Sequence, residues 1–135
     1  MTPAPASNIF SPGSPTAPTS SPSATFTGTV FLSPFGAAAP ALVAQVTFSP
    51  GARTFWHTHA GGQHIAVTQG KGWICDLGGE PRRIKAGDVI FCQPGVTHWH
   101  GGDAGSIMSH TVMSLGETTW GKEVGAEEYA RAKET

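Results

Sequence analysis

Gly51-Ala-Arg-Thr-Phe-Trp-His57-Thr-His59-Ala-Gly-Gly-Gln63 is the stretch on which the reading of this chain turns. Alternate side chains of a β-strand share a face, so His57 and His59 point the same way and can converge on one ion. Ser-Pro-Gly at 49–51 and Gly-Gly at 61–62 bracket the pair as turns, and Gly70 closes the segment. A second stretch, Gly87-Asp-Val-Ile-Phe-Cys-Gln-Pro94-Gly95-Val-Thr-His98, brings a third imidazole at the end of another strand-like run. Neutral imidazole is a ligand for Mn, Fe, Co, Ni, Cu and Zn alike. Two histidines alone are equally well an exposed structural pair. Here all six histidines of the chain fall between residues 57 and 110, which weighs toward a cage.

Working outward, the remainder predicts an all-β fold. The chain has 135 residues, enough for one domain with a real core. Eighteen glycines and eleven prolines punctuate short apolar runs, and only 13% of residues are charged. Strands are expected at 25–32, 41–48, 54–59, 63–68, 72–76, 81–85, 88–91, 96–100 and 106–114, with a turn at Gln69-Gly70 between the fourth and fifth. Strands this short and evenly spaced predict a jelly roll or closed barrel. Ala126 to Glu134 reads as one short terminal helix, with acids in its first turn and bases in its last, lying in solvent.

Residues 1–24 contain no charged residue and alternate Pro, Ser, Thr and Ala; they are expected to form a flexible tail ahead of a folded domain at 25–135. The tail has neither the basic start nor the apolar run of a secretory signal, so the expected location is the cytoplasm, with Cys75 and Cys92 as reduced, buried thiols. A net charge of -1 gives no electrostatic case for nucleic acid or an anionic membrane, and no apolar run of about 18 residues spans a bilayer. The apolar strand 25–32 is expected at a sheet edge, inviting self-association as a homodimer or homotetramer.

Strand parity places further side chains. His100 shares the face of His98; His110 shares that of Met108 and Val112, either as a base or as a core histidine bonded to a neighbour. Ala44, Val46 and Phe48 line one face of their strand, as a substrate wall or as core packing. His64 is out of phase with Gln63 and is expected outside the barrel; Trp56 and Trp99 are out of phase with the ligands and are expected to pack between sheets or at a subunit contact.

The two stretches resemble the paired motifs of the cupins. Gly51, His57, His59 and Gly70 hold the places of the first, with Gln63 where a glutamate is usual; Gly87, Gly95 and His98 hold those of the second, with Gln93 and Gly102 departing from it. Phe26-Thr-Gly-Thr-Val, Trp56-His-Thr-His, His98-Trp-His100-Gly, Met108-Ser-His110 and Glu127-Glu-Tyr129 narrow the resemblance to the small bacterial manganese-dependent cupin hydroxynitrile lyases, over residues 25–131. That resemblance implies a jelly-roll barrel in which His57, His59, Gln63 and His98 bind a divalent metal, Mn2+ first and Fe2+, Zn2+, Ni2+ or Co2+ otherwise. It implies His100 and His110 as catalytic residues, and reversible cleavage of a cyanohydrin to an aldehyde and hydrogen cyanide. Three imidazoles and an amide leave the ion's full 2+ charge in place, which favours anionic ligands. The alternatives are a cupin dioxygenase acting on an enol or diketone and a non-catalytic small-molecule-binding module.

Overall fold

The computed structural model describes residues 6–12 and 19–133. In chain order the elements are β1 (Phe26–Thr27), β2 (Val30–Ala38), β3 (Ala41–Phe48), β4 (Arg53–Thr54), β5 (His57–His59), β6 (Gln63–Asp76), β7 (Arg82–Lys85), β8 (Val89–Cys92), β9 (His98–Gly102), β10 (Met108–Leu115), β11 (Thr118–Trp120) and α1 (Ala126–Ala130). All pairing is antiparallel. One sheet runs β8-β6-β10-β3-β2. The other joins β1, β4, β9, the second half of β6, β7, β5 and β11. The two fold over one another into a nearly closed barrel, the jelly-roll architecture expected from the strand pattern.

The sheets are joined through β6. The turn expected at Gln69-Gly70 is not a reversal: fourteen residues run as one strand, leaving the first sheet and entering the second. Gly70 makes the bend, at φ +70° with its Cα so close to Ile107 that a Cβ would sit 2.0 Å from that carbonyl oxygen. Gly28, at φ +83°, does the converse for the strand expected at 25–32, splitting it into β1 in the second sheet and β2 in the first. β2 continues to Ala38 through an irregularity between Pro34 and Gly36. On its outer edge Ser20 pairs with Leu32, and Thr19 and Ser21 bond to Ser33 and Val30.

Two apolar clusters hold the barrel. The interior packs Val30, Phe48, Ile65, Met108 and Val112 with their neighbours; burying each such side chain is worth about 1.5–3 kcal/mol. Outside the second sheet, Trp73, Cys75, Trp99 and Val124 form a smaller cluster with Trp56 and Tyr129 against it. The terminal helix is shorter than expected, has no base in its last turn, and is not a free outer element. Arg53 donates from Nε to Val124 O at 2.9 Å and stacks on the Tyr129 ring, so an arginine on β4 ties the C-terminal segment down. Cys75 and Cys92 are buried free thiols, and burial pushes the Cys92 thiol up to about 12.

Candidate metal centre

Five histidines point into the barrel: His57 and His59 from β5, His98 and His100 from β9, and His110 from β10. All are at most 4% exposed. The i, i+2 spacing works twice, once on each of two strands that pair at His57 and His98. The rings of His57 and His98 have centroids 4.3 Å apart, His57 and His59 5.0 Å, and His59 and His98 5.6 Å. One ring nitrogen from each of His57, His98 and His100 falls within a 4.8 Å cluster. Gln63 opens β6 beside them, and its Oε1 lies 3.2 Å from His98 Nε2.

Hydrogen bonds decide which nitrogen faces inward. His57 Nδ1 donates to Phe55 O at 2.8 Å, so its Nε2 carries the lone pair. His59 Nδ1 is engaged by Thr118 Oγ1 at 2.9 Å, while its Nε2 is buried without a hydrogen-bond partner among the described residues. His98 is caught between two oxygens, Val96 O on Nδ1 and Gln63 Oε1 on Nε2, each at 3.2 Å. A neutral imidazole has one N–H and satisfies only one of them. The other contact sets acceptor against acceptor, a conflict that a shared cation relieves. Gln63 Nε2 donates to Ser114 Oγ at 2.9 Å, which turns the amide oxygen toward the imidazoles.

Electrostatics keep these rings neutral. Burial and the neighbouring His98 push His57 down to about 3; the same two causes take His59 to about 4. Burial lowers His98, and burial followed by the charge of His110 takes His100 well below its ordinary value. At neutral pH no proton competes with a metal for these lone pairs. The donor set fits a divalent transition metal.

His100 and His110 form a pair of their own. His110 Nε2 and His100 Nδ1 are 3.0 Å apart, leaving His100 Nε2 and His110 Nδ1 buried without partners among the described residues. Thr54 Oγ1 accepts from His100 N at 3.2 Å and fixes that strand position. Phe48 meets both rings edge-on, at centroid distances of 5.9 and 5.2 Å.

Beside the cage is a cavity of about 90 Å³ whose walls include Ala44, Val46, Val112, His57, His59, Gln63 and His100. Leu42 and Trp120, 45% and 40% exposed, stand among its lining residues. A larger hollow of about 270 Å³ lies outside the barrel by Trp56 and Trp99, but no histidine borders it. The chemistry therefore belongs to the smaller one.

The structure brings His57, His59, Gln63, His98 and His100 together, with Ala44 and Val46 on the cavity wall. Phe48 packs edge-on against the His100 and His110 rings, and His110 is a buried histidine bonded to its neighbour His100. His64 is exposed and stacks on Phe91, as its parity required. Sequence reasoning missed β11, where Thr118 orients His59 and Trp120 lies 4.7 Å from the His57 ring. A three-residue strand carries too little alternation to be read, although Thr118-Thr-Trp120 following Gly116-Glu117 is its trace.

Residues 44–110 match the Cupin_2 family of cupin domains. The chain is 46% identical to an (R)-mandelonitrile lyase of Granulicella tundricola over 113 residues, covering 78% of this chain and 86% of that one. Among solved structures it resembles a cupin-like protein of Thermotoga maritima MSB8, with a TM-score of 0.82 and 36% identity over 95% of this chain and 98% of the other. A predicted oxalate decarboxylase of Thermotoga maritima superposes with a TM-score of 0.64 at 25% identity, over 73% and 93% of the two chains. With its inward histidines explained and these relatives beside it, the chain takes its place as a member of the cupin family.

Proposed function

We propose that this cupin is a metal-dependent hydroxynitrile lyase, cleaving a cyanohydrin such as mandelonitrile to an aldehyde and hydrogen cyanide. The observation that carries the reading is His100, bonded to the buried His110 and lining a mostly apolar cavity beside the cage. Identity to a protein named (R)-mandelonitrile lyase supports the same substrate class.

His57, His59, Gln63 and His98 are assigned to the metal, Mn2+ first. When bound, a divalent cation supplies Lewis acidity toward the cyanohydrin oxygen. His100 is the proton-transfer group, since it alone of the two lines the cavity. With His100 Nδ1–H donating to His110 Nε2, His100 Nε2 is a free lone pair and can take the hydroxyl proton. His110 then disperses the positive charge on His100 and fixes its tautomer. The carbon–carbon bond breaks, its electron pair leaves with cyanide, and the carbonyl forms. The same imidazole returns the proton to cyanide, so that one aldehyde and one HCN result without water or oxidant. Ala44, Val46 and Val112 offer the apolar wall for the substrate's organic group.

The substrate partners are small molecules, with neither nucleic acid nor membrane implied, and two free buried thiols suit a cytoplasmic setting. Among the described residues no helix is long and apolar enough to cross a membrane. Aldehyde release from mandelonitrile, measured on Mn2+-loaded and chelator-treated protein with an oxygen electrode in the cell, tests the proposal. Release that needs the metal and consumes no oxygen is expected. Metal-replete protein that yields no aldehyde refutes it, and oxygen uptake with an enol or diketone assigns the dioxygenase reading instead.

A further inference from the structure

Thr54 stands on β4 opposite Phe26 and is 1% exposed. Its Oγ1 accepts from the backbone N–H of His100 at 3.2 Å, and that is the side chain's one hydrogen bond among the described residues. A backbone amide can only donate, so the hydroxyl acts there as an acceptor and its own proton is left unused. Thr54 is also one of the residues that line the cavity beside the cage. The fold therefore accounts for a lone pair of this hydroxyl and not for its proton. A buried donor without an acceptor is costly, and a ligand in the cavity is where this one finds its partner.

The other two hydroxyls of the lining sit beside the metal ligands. Ser114 Oγ bonds to Gln63 Nε2 and Thr118 Oγ1 to His59 Nδ1, each at 2.9 Å. Thr54 alone is bonded to His100, the residue assigned to proton transfer. A cyanohydrin carries two acceptors, its oxygen and its nitrile nitrogen. The reading above gives the oxygen to the metal and its proton to His100. The nitrile nitrogen is the acceptor that remains for Thr54.

We propose that Thr54 is a catalytic residue of the cyanohydrin reaction, donating from Oγ1 to the nitrile nitrogen and then to the departing cyanide. The inference rests on the lyase reading and extends it to the cyanide end of the substrate. Thr54 keeps its proton throughout. As the carbon–carbon bond breaks, its electron pair goes to the nitrile carbon and negative charge spreads to the nitrogen. The hydrogen bond therefore strengthens at the step to be accelerated. With the nitrogen held by Thr54, the carbon of cyanide is the end left free for the proton returned by His100, and hydrogen cyanide forms. In the reverse direction the same bond presents the cyanide carbon first to the aldehyde.

Mandelonitrile cleavage by Mn2+-loaded wild type, Thr54→Val and Thr54→Ser tests it, beside calorimetric binding of the ethynyl carbinol in which C≡C–H replaces the nitrile. That alcohol has the shape of mandelonitrile but no nitrogen, so the Thr54 hydroxyl has nothing to donate to. Thr54→Val is expected to lower kcat/KM for mandelonitrile by about 10–100-fold, the worth of a hydrogen bond to a group gaining charge, and to leave the Kd of the alcohol unchanged. Thr54→Ser keeps the hydroxyl and is expected to hold kcat/KM near the wild-type value. Thr54→Ala repeats the comparison should the valine variant fold poorly. Undiminished cleavage by Thr54→Val overturns the inference. Equal losses in cleavage and in binding of the alcohol overturn it too, since they assign Thr54 to holding His100 in place, and so does a serine variant as slow as the valine one. A wild type that cleaves no mandelonitrile refutes the lyase reading and this inference together, a result distinct from any in which the variants alone depart from expectation.

Discussion

Replacing His110 by leucine, in protein stripped of metal, should flatten the acid sensitivity of the fold by a calculable amount. His110 is completely buried, and that burial lowers it from 6.5 to about 4. The unfolded chain therefore takes up a proton that the native state refuses. Stability from this group is fully present above pH 6.5 and drains away as the pH falls toward 4. At pH 5 the unfolded imidazole is almost wholly protonated and the native one only about a tenth so, which costs about 2 kcal/mol relative to pH 7. The cost is a large share of a typical net stability of about 5–15 kcal/mol. The assay is urea unfolding of wild type and His110→Leu at pH 7 and pH 5, followed by tryptophan fluorescence with chelator present. The wild type should lose about 2 kcal/mol more than the variant over that interval, whatever offset leucine introduces at pH 7. Equal losses in the two proteins would refute the placement of a neutral imidazole at the barrel centre.

Chelation should lower the melting temperature and added Mn2+ restore it, since saturation at about a hundred times Kd stabilises by about 2.7 kcal/mol; calorimetry without any shift would contradict the cage. Gln63→Glu should tighten metal binding by about tenfold or more in titration calorimetry while slowing cyanohydrin cleavage, because a carboxylate halves the charge that amide ligation leaves intact. Thr118→Val removes the partner of His59 Nδ1 and should weaken metal binding by about 10–100-fold with the fold unchanged by circular dichroism. Gly70→Ala should cost more than about 3 kcal/mol or leave the protein insoluble, as its φ of +70° and a Cβ 2.0 Å from Ile107 O cannot both be accommodated.

The metal cage was legible because its geometry is local. His57 with His59, and His98 with His100, are each fixed by strand parity, and one antiparallel contact between β5 and β9 brings them together. What escaped the sequence reading depended on three-dimensional order. Gln69-Gly70 looks like a reversal because a glycine between two apolar runs reads alike whether the chain turns back or merely bends into another sheet. Phe48 shares the inward parity of Ala44 and Val46, yet its ring packs edge-on against His100 and His110. Periodicity carries the face and not the depth. The role of Arg53 in holding Val124 joins positions 71 residues apart, beyond the reach of any local pattern.

The fold and the chemistry meet in the way lone pairs are disposed. His57 and His98 use Nδ1 on a backbone carbonyl two residues earlier, His59 uses it on Thr118, and His100 uses it on His110. Every remaining ring nitrogen around the cage is thereby turned inward, where lone pairs repel and water is scarce. A bound cation would relieve this conflict, so under the proposed reading the same residues would couple the stability of the domain to the occupancy of its site. Among the described residues no carboxylate lines the cavity to offset the charge of a bound ion. An uncompensated dication in an apolar pocket raises the local affinity for anions, and a cyanohydrin on its way to an aldehyde and cyanide is a substrate whose charge becomes negative at the step that must be accelerated. Under the proposed lyase reading, neutral ligation is thus the feature that would suit this cage to that bond cleavage, and Gln63 is the residue on which the difference would rest.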